Sequence, residues 1–176
     1  MKKIITYVIA GCLAISGSDL FGQTTTGEGF ESATAFPPTG WQSIGGGFGS
    51  PTWSRRTTAN AGTTPGAKPF GGVGMARFSS NNAAAGGTQS LGSPVIDLSK
   101  RGTANSYISL YMYRDSIYKG DDSVSVLFNT SRSLTGAKRL GGIARYCRKT
   151  MPDSVSNGWY KYSFAIPSSY TGTANY

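Results

Sequence analysis

The stretch 106-Ser-Tyr-Ile-Ser-Leu-Tyr-Met-Tyr-Arg-114 decides the fold class. Ile108, Leu110 and Met112 fall on one side of an extended chain, and Tyr107, Tyr111 and Tyr113 on the other, which is the period of a β-strand. Lys119-Gly120-Asp121-Asp122 then supplies a turn. The next run, Ser123 to Asn129, sets Val124, Val126 and Phe128 against Ser123, Ser125 and Asn129. The two runs are expected to be antiparallel neighbours in one sheet. Trp159 to Ile166 alternates again, with Tyr160, Tyr162, Phe164 and Ile166 on one side, and Pro167, which has no N–H to give a ladder, ends it. Shorter strands are predicted at Gly40–Ile44, Thr52–Arg56, Gly74–Ser79, Ser90–Ile96 and Leu140–Tyr146. No segment sustains a helical period. About eight or nine short strands separated by Gly, Pro, Asn and Ser predict an all-β chain of two packed antiparallel sheets. Small-residue loops are expected at Gly45–Ser50, Thr57–Gly72 and Ser80–Thr88. Thr173–Tyr176 reads as the opening of a further strand.

The chain has 176 residues, enough for one domain, and 38% of them are apolar. It contains no His. That excludes Ser-His-Asp triads, Cys-His dyads and His-ligated zinc or haem. Only Cys147 lies outside the N-terminal segment, so an internal disulfide framework is excluded too. It is expected to be a buried, small hydrophobe.

Met1-Lys2-Lys3 followed by the apolar run Ile4–Ile15 and the small, polar stretch Ser16–Gly22 predicts an export leader. The run is too short for a spanning helix, so no transmembrane segment is expected. Cleavage after Gly22 leaves a single domain, 23–176, in a secreted or cell-surface protein. A second reading takes Ile9-Ala10-Gly11-Cys12 as a lipobox with Cys12 lipidated, although few apolar residues precede it. The chain from Gln23 carries the 17 basic residues less Lys2 and Lys3, against the 8 acidic ones less Asp19, a formal charge of +8. For an exported chain this favours an anionic polysaccharide or lipopolysaccharide phosphate over nucleic acid, beside the simpler reading of a solvated basic surface.

No nucleophile elbow, Walker loop or dinucleotide fingerprint is present. No catalytic residue is assigned; a carboxylate pair acting on a glycosidic bond is the lesser alternative. Acids at loop ends, Glu28, Glu31, Asp97, Asp121 and Asp122, suit an oxygen-lined Ca2+ site, with Glu31, Asp97 and Asp122 as the chosen ligands. Ordinary turns account equally for Asp97 and for Asp121-Asp122. Trp41, Trp53 and Trp159, with ten tyrosines, offer flat faces for sugar rings as well as for packing. The tyrosine row at 107, 111 and 113 is singled out because its opposite side already supplies the core. Lys138, Arg139, Arg145, Arg148 and Lys149 are five cations within twelve residues without an acid among them. Displayed together they would hold sulfate, phosphate or uronate. The ligand-binding residues expected from this reading are Trp53, Tyr111, Tyr113, Arg145 and Arg148.

Several segments in order resemble the cleaved-adhesin or MAM-like "choice-of-anchor" domains of bacterial surface proteins. They are Gly29-Phe30-Glu31-Ser32, Phe36-Pro37-Pro38-Thr39-Gly40-Trp41, Pro51-Thr52-Trp53 and Gly74-Met75-Ala76-Arg77, followed by Leu91 to Leu98, Asp122 to Val126 and Gly158 to Pro167. The resemblance runs from about residue 28 to the end. It implies a jelly-roll β-sandwich and a non-catalytic role in adhesion to a glycan or a host or matrix protein. It also implies structural calcium, with Glu31 as one ligand. Members commonly add a closing strand with an Asp-Asp pair and a C-terminal domain for type IX secretion; neither is found here, so this chain is expected to be part of a larger surface protein lacking its last strand. An accessory domain of a secreted peptidase or polysaccharide-degrading enzyme is the alternative.

Overall fold

The computed structural model describes residues 6–10, 27–32, 34–45, 52–57, 66–79, 86–99, 105–117 and 119–176. The predicted leader cleavage point, Cys12 and most of the predicted loop residues lie outside these. The strands are β1 (Thr6–Ala10), β2 (Gln42–Ile44), β3 (Thr52–Arg56), β4 (Met75–Ser79), β5 (Ser90–Gly92), β6 (Ser106–Arg114), β7 (Ser123–Phe128), β8 (Lys138–Ala144) and β9 (Gly158–Ile166). The described residues are all-β and contain no helix, so none is long and apolar enough to cross a membrane.

A five-stranded antiparallel sheet has the order β3-β4-β1-β6-β9. β6 and β9 pair along their full length, Ser106 opposite Ile166 and Arg114 opposite Gly158. β1, which falls within the predicted leader, is bonded on both sides, Ile9 standing opposite both Ala76 and Met112. Two further pairs, β2-β5 and β7-β8, are also antiparallel.

The expected pairing of β6 with β7 is not found. Both edges of β6 are taken, by β9 and β1, and β7 pairs with β8. Asp115, the residue after β6, leaves the sheet to bridge Tyr146: its N–H donates to the Arg145 carbonyl and its own carbonyl accepts from Cys147. The chain thereby crosses into another layer before β7 begins.

The alternation in each strand decides which side is buried. Met112 and Tyr162 of the five-stranded sheet pack with Phe78 and with Ile143 of β8. Ile108 and Ile166 pack with Val126 and Phe128 of β7 and with Ile96 and Leu98. These side chains join the large sheet to the β7-β8 pair, and an average buried Leu, Ile or Phe of this kind contributes about 1.5–3 kcal/mol by leaving water. The layers come close at Gly141, where a Cβ would stand 2.4 Å from the Phe164 ring. Cys147 is fully buried, as the sequence predicts, and its thiol lies 3.3 Å from the Asn157 side-chain oxygen.

Candidate functional site

The outer side of β6 and β9 carries an aromatic platform. Register sets Tyr113 opposite Trp159, Tyr111 opposite Lys161 and Ser109 opposite Ser163, whose hydroxyls meet at 2.7 Å. Phe70, from the segment before β4, lies over Tyr111 with ring centroids 3.8 Å apart and planes within 17°. Trp159 stands edge-on to both Phe70 and Tyr113, at 6.1 and 5.6 Å. Its indole N–H donates to the Lys68 carbonyl at 2.9 Å, so the ring orientation is fixed by a bond to the same segment that carries Phe70. Beneath, Ala67 and Met75 are buried against Tyr113 and Trp159. Burial, then the nearby Asp115 and Cys147, push the Tyr113 phenol above its ordinary pKa, so it stays neutral. Phe70 is 50% exposed, and Lys68 and Lys161 are exposed. Flat, fixed aromatic faces with the Lys161 ammonium on the same side suit a sugar ring bearing an anionic substituent.

The structure brings together Tyr111 and Tyr113 of the expected ligand-binding residues, but not the rest. Trp53 faces the interior: its ring packs on Phe78 at 5.1 Å, and its indole N–H donates to the Gln89 carbonyl. Arg145 is buried and donates from Nη1 to both Asp115 carboxylate oxygens, at 2.7 and 2.8 Å. Its placement in a displayed basic cluster is therefore corrected. The cation run instead sends one member inward to an acid thirty positions away. Arg148, Lys138 and Arg139 are exposed, while Lys149 is engaged by Asp121.

The acids do not converge. No group of three Asp, Glu, Cys or His side chains able to hold a metal occurs among the described residues. Glu31 accepts from the Val73 N–H at 2.7 Å, and Arg55 donates to the Phe30 and Glu31 carbonyls, strapping residues 30–31 onto β3. Asp97 accepts from the Ser99 N–H, a local turn. Burial pushes the Asp122 carboxyl up in pKa, against the opposing pull of Arg145. Glu31, Asp97 and Asp122 are thus not gathered into one group among the described residues.

A second feature lies inside. A cleft of about 800 Å³ is lined by Phe78, Ile108 and Leu110 of the large sheet, by Ser90–Gly92 of β5 and by Val124, Val126 and Phe128 of β7. β5 and β7 each have one strand partner among the described residues, β2 and β8.

Sequence reasoning missed Phe70, which sits in a Gly-rich segment without periodicity, and missed Arg114. The Arg114 guanidinium, fully buried, donates to the carbonyls of Tyr146, Lys149 and Asp153 and to the Tyr162 hydroxyl. Only its place at the buried parity of β6, directly after the tyrosine row, hinted that it turns inward. Comparison with known proteins gave no match to any family model, curated protein or solved structure.

Proposed function

We propose that this chain is a non-catalytic binding module of an exported surface protein, a jelly-roll sandwich, which holds an anionic glycan on its outer aromatic face. A matrix protein glycan is a ligand of the same chemistry. The observation that supports this reading is the stacked and half-exposed Phe70 on Tyr111 beside Trp159, with Lys161 on the same side of the sheet. Stacking supplies affinity for the ring faces, and the Lys161 ammonium selects a uronate or sulfate.

Retardation of the chain in gels containing polygalacturonate, heparin or a neutral glucan tests the reading. Anionic polymers should retard the chain more than the glucan, and Phe70→Ala should lose about tenfold in affinity, the equivalent of about 1.4 kcal/mol. Equal retardation of the wild-type chain and the Phe70→Ala and Tyr111→Ala variants would remove the platform from the account.

A further inference from the structure

The outer side of the large sheet carries a second feature, two strands away from β6. Ser54 stands opposite Arg77 and Arg56 opposite Met75, so Arg56 and Arg77 are diagonal neighbours on β3 and β4. Such positions lie about 7 Å apart, within reach of long side chains. They share a side with the platform, because Met75, two places before Arg77, packs against Tyr113 and Trp159. Trp53 and Phe78, at the alternate positions, face the interior. The β3-β4 ladder runs from Thr52 to Arg56 and carries the pair without help from β1.

Other arginines of the fold are tied down. Arg55 donates to the Phe30 and Glu31 carbonyls, Arg114 to the carbonyls of Tyr146, Lys149 and Asp153, and Arg145 to Asp115. Arg56 and Arg77 are half-buried, with Nε closed off from water and unbonded, and no ion pair holds either guanidinium among the described residues. Burial, and then the charge of Arg56, press the Arg77 guanidinium below its ordinary pKa. Like charges side by side on a sheet oppose folding, and partial burial without a counter-charge adds to that cost. An oxyanion held across the two guanidiniums removes both penalties.

The number of donors says which oxyanion. One guanidinium fork already fills both oxygens of a carboxylate. An ester sulfate or phosphate keeps three oxygens free and so accepts from two forks at once. Across β1, Val8 stands opposite Arg77 and Ala10 opposite Tyr111, which puts Arg77 about 12 Å from Tyr111 along the sheet. A single sugar ring does not cover both places, so the charged group belongs to another residue of the same polymer. We infer that Arg56 and Arg77 form an oxyanion subsite that takes a sulfate or phosphate ester of the glycan, carried on a sugar further along the chain from the one on Phe70. The inference rests on the glycan reading and narrows it from anionic polymers at large to ester-bearing ones.

Affinity gels with dextran sulfate, dextran phosphate, polygalacturonate and plain dextran, run with the whole chain, test it. At least one ester polymer should bind about tenfold more tightly than polygalacturonate, and the tighter of the two names the ester. Polygalacturonate binding as well as both esters, or better, overturns the inference. Arg56→Gln and Arg77→Gln should each lose about tenfold on the ester polymer, and so should Arg77→Lys, which keeps the charge and loses the fork. Full binding by Arg77→Lys would reduce the pair to charge alone and overturns it. Arg148→Gln removes an exposed charge elsewhere and should lose about twofold at most; a loss equal to that of the pair would mean diffuse attraction to a cationic surface, which also overturns it.

Phe70→Ala separates this inference from the reading beneath it. Ester binding lost there but kept in the arginine variants leaves the platform standing and refutes the subsite, whereas the reverse leaves the subsite standing without the platform. Where an arginine variant does not fold, phenylglyoxal modification of the wild-type chain decides. Dextran sulfate or dextran phosphate, whichever binds more tightly, should shield Arg56 and Arg77 and leave Arg148 reactive, and equal shielding of all three overturns the inference.

Discussion

Arg145 and Asp115 meet in the interior as a paired charge, the arginine following β8 and the aspartate following β6, with each side chain about 1% exposed. The pair stands where the chain leaves the large sheet, beside the backbone bonds that join Asp115 to Arg145 and Cys147. It therefore fixes the crossing from one layer to the other.

Removing one partner leaves a buried charge unmet. Asp115→Asn or Arg145→Met should each lower stability by about 3–5 kcal/mol, while the double Asp115→Leu/Arg145→Met variant should recover much of that loss. Urea denaturation of the three variants provides the comparison; single variants within about 1 kcal/mol of wild type would show that the pair is not closed off from water.

Gly141 faces the Phe164 ring at a distance no methyl group tolerates. Gly141→Ala should cost about 1–3 kcal/mol through overpacking, and adding Phe164→Leu should relieve part of it. A thermal melt of the single and double variants reads this directly, and strictly additive losses would contradict the contact.

Asp122 has its carboxyl pKa raised by burial, against the opposing field of Arg145. A group that binds its proton more tightly in the native state favours folding below the ordinary carboxylate range, and that contribution is lost as pH rises through the raised value. Asp122→Asn should therefore be more stable than wild type at neutral pH, with the difference closing as pH falls into the ordinary carboxylate range. Melting points across pH 3–8 or so give the test, and a difference that grows on acidification would reverse the sign assigned here.

Glu31 accepts from the Val73 N–H. Glu31→Ala should lower stability by about 1 kcal/mol, and by the same amount in millimolar calcium as in chelator. A calcium-dependent rise in the melting point that disappears in the variant would restore the metal to the account.

The bounds of β3 and β6 coincide with those predicted, and the inward rows of β6, β7 and β9 fall on the residues that alternation selects. Strand periodicity carries that information because one side of each strand must leave water. It does not say which strand lies alongside: β6 and β7, adjacent in sequence and similar in pattern, pair with other strands. β5 stops at Gly92 rather than continuing to Ile96, because Ile96 pairs instead with Asn175 at the far end of the chain. The platform was half legible: Tyr111 and Tyr113 stand out by parity, whereas Phe70 reaches them from a loop whose composition carries no direction. Arg145 was misplaced because a run of cations discloses nothing of the distant acid that one of them will meet.

β1 occupies the middle of the large sheet, not its margin. A protease cutting behind it after folding would sever a covalent link yet leave the excised piece clasped by ladders to β4 and β6. A cut made earlier would let the remainder fold around a vacancy. Were the predicted leader removed, the timing of the cut would decide whether the same polypeptide ends with a filled or an open sheet.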